Sequence, residues 1–256
     1  MADLPILFSP PMICSLVREI EQPGTGKTQT RRTNGVPVIE RTQSEGWHIH
    51  NRHGGVFTWS DDAVSNIAAE MLPFQPGDRL WCREEHYQFG HWEVADGKLT
   101  KGGREKWQFV PDTDEVLLDP PSEFRWGRHH QDPGTPAWHK RLGRFMFRCH
   151  SRLTLYVTDV RVQRLQDISE EDARAEGVGM AQGGGWRDYR FPPDAGPSKP
   201  DPIGSYRTLW RTINGPGAWD ANPWVAAYTF VPVLGNITTL PAVLADLPSH
   251  AEGSQP

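Results

Sequence analysis

The stretch Gly24-Thr25-Gly26-Lys27-Thr28-Gln29-Thr30-Arg31-Arg32 decides which class of fold this chain can adopt. Its Gly-Lys-Thr core matches the end of a phosphate-binding loop, in which four residues separate the first glycine from the Gly-Lys pair. Here the position of that glycine is occupied by Glu21, whose carboxylate would repel the phosphates of a nucleotide. The apolar spacing over residues 11–20 predicts a helix that the following proline and glycines end. The order is therefore helix, turn and polar strand, which is the reverse of a nucleotide-binding loop.

Composition limits the class of protein. The 256 residues include 23 Pro, 25 Gly and 11 Trp, which predicts many turns and a core that relies on tryptophan for packing area. The net charge of −5 gives no global attraction to polyanions, so any contact with nucleic acid requires a local basic patch. We expect one domain over residues 1–235, with insertions near residues 36–75, 90–140 and 180–204, and a flexible tail over residues 236–256.

The cysteines and the apolar runs indicate the cellular environment. Cys14, Cys82 and Cys149 are odd in number and far apart, which supports neither a disulfide framework nor a zinc ribbon. No run reaches the roughly 18 apolar residues that a membrane span needs. We expect a cytoplasmic protein that requires no cofactor and contacts no membrane.

Alternating apolar residues predict four strands, near residues 4–8, 79–84, 153–162 and 224–233. Val160 breaks the alternation of the third strand, which predicts a β-bulge near Thr158-Asp159. Helices are expected over residues 61–71 and after Ser169, a hairpin between residues 92–94 and 107–110, and an irregular insertion over residues 36–55. Strands scattered among single helices indicate an α+β fold with a small barrel or an open sheet.

Residues 133–158 contain no acidic residue. Their cations alternate with Trp138, Phe145 and Phe147, and cations beside aromatic rings are typical of surfaces that bind single-stranded RNA. The alternative is an ordinary basic face that the acidic residues of 167–176 balance. The candidate RNA-binding residues are Lys140, Arg141, Arg144, Arg148 and Arg152.

Five of the ten histidines lie close together in sequence, as His48, His50 and His53 and, further along the chain, His129 and His130. Zinc sites need partners at ligand spacing, and no Asp or Cys stands at such a spacing from these residues. They lie in sequence that resembles loops, where histidine is usually a polar surface residue. We therefore predict no metal site.

The order of segments resembles the ASCH family, whose members are small domains of the PUA-like barrel superfamily. The resemblance rests on Gly26 to Arg32 after the first helix, on Pro76-Gly77-Asp78-Arg79-Leu80-Trp81, and on Leu153 to Val160 followed by Ile168-Ser169-Glu170-Glu171-Asp172-Ala173. A closing strand follows Asn222-Pro223-Trp224. The whole set is similar to the longer ASCH-type proteins of bacteriophages and prophages, and it implies a PUA-like barrel with flanking helices and long loops.

The resemblance also implies a function. In the family's bacterial N4-acetylcytidine amidohydrolases, a lysine, a threonine three residues on and a later glutamate form the proposed catalytic group. These positions correspond to Lys27, Thr30 and Glu176 here, and the candidate substrate contacts are Thr28, Arg31, Arg32 and Glu84. The implied activity is removal of an acyl group from a cytosine-type nucleoside. The alternatives are a non-enzymatic reader of RNA or modified bases, and a metal-assisted ribonuclease.

Overall fold

The computed structural model describes residues 1–43, 46–128, 131–192 and 196–244. Helices and strands alternate irregularly along the chain, which confirms the α+β class. In chain order the elements are β1 (Asp3–Leu7), α1 (Pro10–Glu21), β2 (Gln29–Arg32), β3 (Val38–Arg41), β4 (Trp47–Asn51), β5 (Gly54–Thr58), α2 (Asp61–Glu70), β6 (Arg79–Arg83), β7 (His86–Leu99), β8 (Glu105–Leu117), β9 (Arg125–Trp126), β10 (Ala137–Arg141), β11 (Leu153–Arg164), α3 (Glu170–Ala175), α4 (Pro202–Asn214) and β12 (Trp224–Leu234).

The central sheet has five strands in the order β1-β6-β11-β12-β2. β1 runs parallel to β6, and the other neighbours are antiparallel. The four strands predicted from apolar patterning all belong to this sheet. The predicted bulge is confirmed as well, because the pairing of β11 with β12 shifts between Val157 and Asp159.

Burial explains why β12 lies inside the sheet. Val225, Ala226, Ala227 and Tyr228 are consecutive and fully buried, so both faces of the strand are covered. One face meets the main core, to which α1 contributes Leu16, and the other face meets a second cluster under α2. Each large apolar side chain buried in this way stabilises the fold by about 1.5–3 kcal/mol.

The expected closed barrel is not observed. Among the described residues none of the three sheets closes on itself, and β1 and β2 remain as edges of the central sheet. Closing a sheet requires ladder hydrogen bonds between its first and last strands. Here the two edges are joined by a side chain instead, because Arg32 Nη2 donates to the carbonyl of Leu7 at 2.7 Å.

The expectation of an irregular insertion over residues 36–55 is wrong. Residues 38–41, 47–51 and 54–58 instead form an antiparallel sheet in the order β3-β4-β5. α2 packs on one face of this sheet, with Ile49 buried between the two elements. Ser60 caps α2, since its Oγ accepts a hydrogen bond from the amide of Ala63.

A third sheet, in the order β8-β7-β10-β9, contains the predicted hairpin, in which Trp92 pairs with Phe109. The expected tail is anchored over its first residues. Ile237 is buried, and the carbonyl of Pro241 accepts hydrogen bonds from Arg79 and Tyr156. The rest of that tail, residues 245–256, and the pair His129 and His130 lie outside the described residues. No helix in the described ranges is both long and apolar enough to cross a membrane.

Candidate active site

A cleft of about 420 Å³ opens between the two edge strands of the central sheet. The end of β1 contributes Leu7 and Phe8, and the end of β2 contributes residues 30–32. α4 supplies a third wall that includes Tyr206 and Trp210. The cleft therefore lies at the gap in which ladder hydrogen bonds would close a barrel.

Two glycines bring the functional residues together. A Cβ on Gly26 would stand 2.3 Å from the carbonyl oxygen of Ser15 in α1, so no larger residue fits there. Gly177 has a φ of +83°, and a Cβ on it would stand 2.8 Å from the Cβ of Lys27. The turn after α1 and the turn after α3 can therefore approach each other closely. The backbone records this approach as a bridge between Lys27 and Glu176.

Lys27 and Glu176 form an ion pair at the base of the cleft. Lys27 Nζ lies 2.9 Å from Glu176 Oε2 and 2.8 Å from the backbone carbonyl oxygen of Glu176. Only 2% of the lysine side chain and 4% of the glutamate side chain are exposed. An ammonium group has three N–H donors, so this geometry leaves one for another acceptor.

Arg31 holds the other oxygen of the same carboxylate. Its Nη1 lies 3.1 Å from Glu176 Oε1, and its Nη2 lies 2.7 Å from Asp172 Oδ2. Gln29, two residues earlier on the same face of β2, accepts a further hydrogen bond from Arg31. Glu176 is thus fixed by one cation at each carboxylate oxygen, and its orientation toward Lys27 is set by contacts across the fold.

Burial shifts the acid–base chemistry of this group. It lowers the pKa of Lys27 below the ordinary value of 10.5, and the Glu176 carboxylate opposes that shift. The neighbouring guanidinium groups of Arg32 and Arg31 lower the pKa of Lys27 further. Three cations beside one glutamate and one aspartate make the cleft suited to an anion or to developing negative charge.

Thr30 lines the same cleft as Lys27 and Glu176. It sits on β2, where it pairs with Tyr228 of β12. Thr30 is almost fully buried, and the cleft is the cavity that it borders. The structure therefore brings all three predicted catalytic residues to one cavity.

Of the four predicted substrate contacts, two line the cleft and two do not. Arg32 lines the cleft with its guanidinium 5.0 Å from the centre of the Phe8 ring, and burial lowers the pKa of Arg32. Arg31 also lines the cleft but its charge is directed to Glu176 and Asp172. Thr28 and Glu84 are not among the residues that line it, and Glu84 pairs with Arg152 at 2.9 Å.

The basic stretch does not form one surface of free charges. Lys140 pairs with Glu85 at 2.7 Å, Arg148 with Asp3, and Arg152 with Glu84. The guanidinium of Arg141 lies 4.1 Å from the centre of the Phe109 ring, where burial lowers the pKa of Arg141 to about 10. Arg144 lines the cleft and stacks near Phe145. Of the five residues, the fold brings only Arg144 to the candidate site.

Sequence reasoning missed the aromatic wall and the second acid. Phe8, Tyr206 and Trp210 line the cleft, and the ring centres of Tyr206 and Trp210 are 6.1 Å apart. Burial raises the pKa of Tyr206, and the charge of Glu176 adds to that shift. Asp172 was noted only as a member of the segment Ile168 to Ala173, yet it also binds Arg31. No local pattern in the chain marks these residues as neighbours of Lys27.

Comparison with known proteins gives no match, either to a family model, to a curated protein or to a solved structure.

Proposed function

We propose that this cleft removes an acyl group from a modified cytosine-type nucleoside of the N4-acetylcytidine kind. The observation that carries the proposal is the buried Lys27–Glu176 pair on the cleft that Thr30 also lines. These are the same three positions that the resemblance to the ASCH amidohydrolases implies. The proposal includes a PUA-like arrangement in which the sheet edges β1 and β2 stay apart and admit the substrate.

The proposed reaction is amide hydrolysis in two steps. The Thr30 hydroxyl attacks the acyl carbon, and Lys27 in its neutral form takes the hydroxyl proton. The carbon–nitrogen bond then breaks, and the proton passes to the leaving amine. Water cleaves the resulting ester by the same proton route, which releases the carboxylic acid and restores Thr30. A variant of this route has Thr30 orient the attacking water instead of attacking itself.

Each charged neighbour has a distinct task in this scheme. Burial lowers the pKa of Lys27, which favours the neutral amine that a base requires. Glu176 orients the amine through Oε2, and Arg31 fixes Glu176 through Oε1. Arg32 supplies positive charge on the cleft wall, which would stabilise a tetrahedral oxyanion or a ligand phosphate.

The shape and lining of the cleft suit a nucleoside. Its volume falls within the roughly 300–1,000 Å³ of small-molecule sites. Phe8, Tyr206 and Trp210 give the cleft an aromatic lining against which a base can pack. Asn34 and Asn214 add amide groups that can both donate and accept hydrogen bonds with the edge of a base.

The direct test is to incubate the protein with N4-acetylcytidine and to measure release of cytidine by chromatography. Thr30→Val keeps the shape of the side chain but removes the hydroxyl, and it should lower kcat by at least about 100-fold. Thr30→Ser keeps a hydroxyl and should retain measurable turnover. Equal loss in both variants would count against the nucleophile role. An unchanged rate in Thr30→Val would refute the role of Thr30 altogether.

A second candidate function is a non-enzymatic reader that binds a modified base or RNA without turnover. The observation that favours it is the exposed aromatic surface beside the basic stretch, where Lys140 Nζ lies 4.2 Å from the ring centre of Trp126. Trp126 is 72% exposed and Phe147 is 64% exposed. Saturable binding of N4-acetylcytidine with no release of cytidine would support the reader and reject the amidohydrolase.

A further inference from the structure

The three-stranded sheet β3-β4-β5 gathers two histidines and a glutamate on one face. His48 and His50 stand two residues apart on β4, so their side chains leave the same side of the sheet. Glu40 on β3 is directly opposite His48 in the antiparallel register. Cross-strand partners share a face, so all three side chains lie together.

The ligand atoms of this group are close to coordination distance. One nitrogen from each histidine and one oxygen from Glu40 all lie within 4.8 Å of one another. His50 Nε2 is 3.9 Å from Glu40 Oε2. With bonds of about 2.0–2.2 Å, ligands around a tetrahedral zinc ion lie roughly 3.4 Å apart. Small rotations of the side chains are enough to bring the three ligand atoms from their present separations to that spacing.

The backbone under these ligands is well anchored. Ile49, which lies between the two histidines, points to the opposite face and is fully buried against Val64 and Ala68 of α2. Gly55 on β5 pairs with His50, and a Cβ there would stand 2.8 Å from His48 Nε2. Glycine at this position leaves the imidazoles room to meet. Sites carried by strands position ligands more accurately than sites on loops.

The two arginines nearest in sequence to the three ligands, Arg41 and Arg52, contact other residues. Arg41 pairs with Asp61 at 3.6 Å and stacks over Trp47, whereas Arg52 donates from Nε to His53. Within the part of the chain that the structure describes, Glu40 therefore forms no ion pair with an arginine, and its ionisable partner is His50. The combination of two imidazoles and one carboxylate is chemistry that suits zinc and similar transition metals better than magnesium or calcium.

We infer that Glu40, His48 and His50 form a binding site for a divalent transition metal ion of the zinc class. The site offers three protein ligands and leaves at least one coordination position open to water or another ligand. None of the three residues lines the cleft of Lys27, so the inference is independent of the proposed function. Because the ligands come from two strands, a bound ion would link β3 to β4 and stabilise the folded protein.

The test uses the full chain without a polyhistidine tag. Co²⁺, which reports its coordination by visible absorption, is titrated first, and Zn²⁺ is then added to displace it. We expect one equivalent of Co²⁺ to bind and the absorption to vanish when Zn²⁺ is added. Glu40→Gln, His48→Gln and His50→Gln should each weaken Co²⁺ binding by at least about tenfold. Circular dichroism confirms that each variant is folded.

The matched control is His91→Gln, because His91 is a histidine on another sheet that also contacts a carboxylate, that of Asp112. It should bind Co²⁺ as tightly as the parent chain. The inference is overturned if the parent binds no tighter than the His48→Gln/His50→Gln double variant. It is also overturned if His91→Gln or His53→Gln weakens binding as much as His48→Gln does.

A thermal measurement checks the same site without a spectroscopic metal. Zn²⁺ should raise the Tm of the parent chain and of His91→Gln but leave that of the double variant unchanged. Gly55→Ala should reduce the Zn²⁺-dependent rise, because the added methyl group occupies space next to His48 Nε2. A Zn²⁺-dependent rise of equal size in the parent and the double variant would contradict the assignment.

Discussion

The cluster around Glu176 and the basic stretch over residues 140–152 are both rich in charge, but the fold treats them in opposite ways. The cluster brings together Lys27 from the turn before β2, Arg31 from β2, and Asp172 and Glu176 from α3 and its C-terminal cap, and it buries all of them except Asp172, which is half-buried. The basic stretch is continuous in sequence, yet three of its five cations pair with acids from other segments. Local charge density in a sequence is therefore a poor guide to free charge on a surface.

The largest contrast between the buried cluster and the basic stretch is expected in the free energy of unfolding of variants that remove one acidic partner. Glu176→Gln removes the counter-charge of Lys27 and weakens that of Arg31, so it should lower the free energy of unfolding by about 3 kcal/mol. Glu85→Gln makes the same change opposite Lys140, which is partly exposed, and should cost below about 1 kcal/mol. Urea denaturation followed by circular dichroism measures both. Equal losses of unfolding free energy in the two variants would show that the buried Lys27–Glu176 pair contributes no more to stability than a partly exposed ion pair.

A smaller effect should appear in the pH dependence of stability. The pKa of Lys27 is lowered in the folded protein, so between that pKa and 10.5 the unfolded chain binds more protons. The free energy of unfolding contributed by Lys27 should therefore rise with pH through this window and stay constant below it. Lys27→Met should abolish this contribution, whereas Lys140→Met should keep it. Denaturation series from pH 7 to pH 10.5 in the three proteins provide the check.

The smallest effect concerns RNA. Because Lys140, Arg148 and Arg152 are paired, we expect weak binding of single-stranded RNA that involves one or two phosphates. The slope of log affinity against log salt should then be roughly −0.7 to −1.4. Arg144→Ala should reduce the slope more than Arg148→Ala does, as measured by fluorescence anisotropy. A slope several times steeper would show that most of the five cations contact phosphates, and it would contradict the view that ion pairing withdraws them from RNA.

The sequence was sufficient to locate four of the five strands of the central sheet, because β1, β6, β11 and β12 contain apolar runs, whereas β2 is short and polar. Leu153, Leu155 and Val157 alternate on β11, and Val160 marks the bulge by falling out of step. β3 and β5 carry no such signal. β3 is four residues long and ends in Glu40 and Arg41, and β5 begins with two glycines. Their strand structure arises from pairing with β4 and packing against α2.

The same limit applies to the sites. Lys27 and Thr30 are near in sequence, so a motif could suggest both, whereas Asp172 and Tyr206 join them only through the folded chain. Glu40 was missed as a partner of His48 because the two residues are eight positions apart on strands whose register the sequence did not show. Contacts between elements, rather than residue types, carry the missing information.

The central claim is that Lys27 is a catalytic group and not merely a buried cation. The most direct measurement compares cytidine release from N4-acetylcytidine by the parent chain, by Lys27→Met and by Lys140→Met. Met keeps the length and apolar stem of lysine, and Glu176 retains Arg31 as a partner, so Lys27→Met should stay folded. We predict a loss of at least about 100-fold in kcat for Lys27→Met and no more than twofold for Lys140→Met. Full activity in a folded Lys27→Met protein, or equal losses in the two variants, would contradict the account.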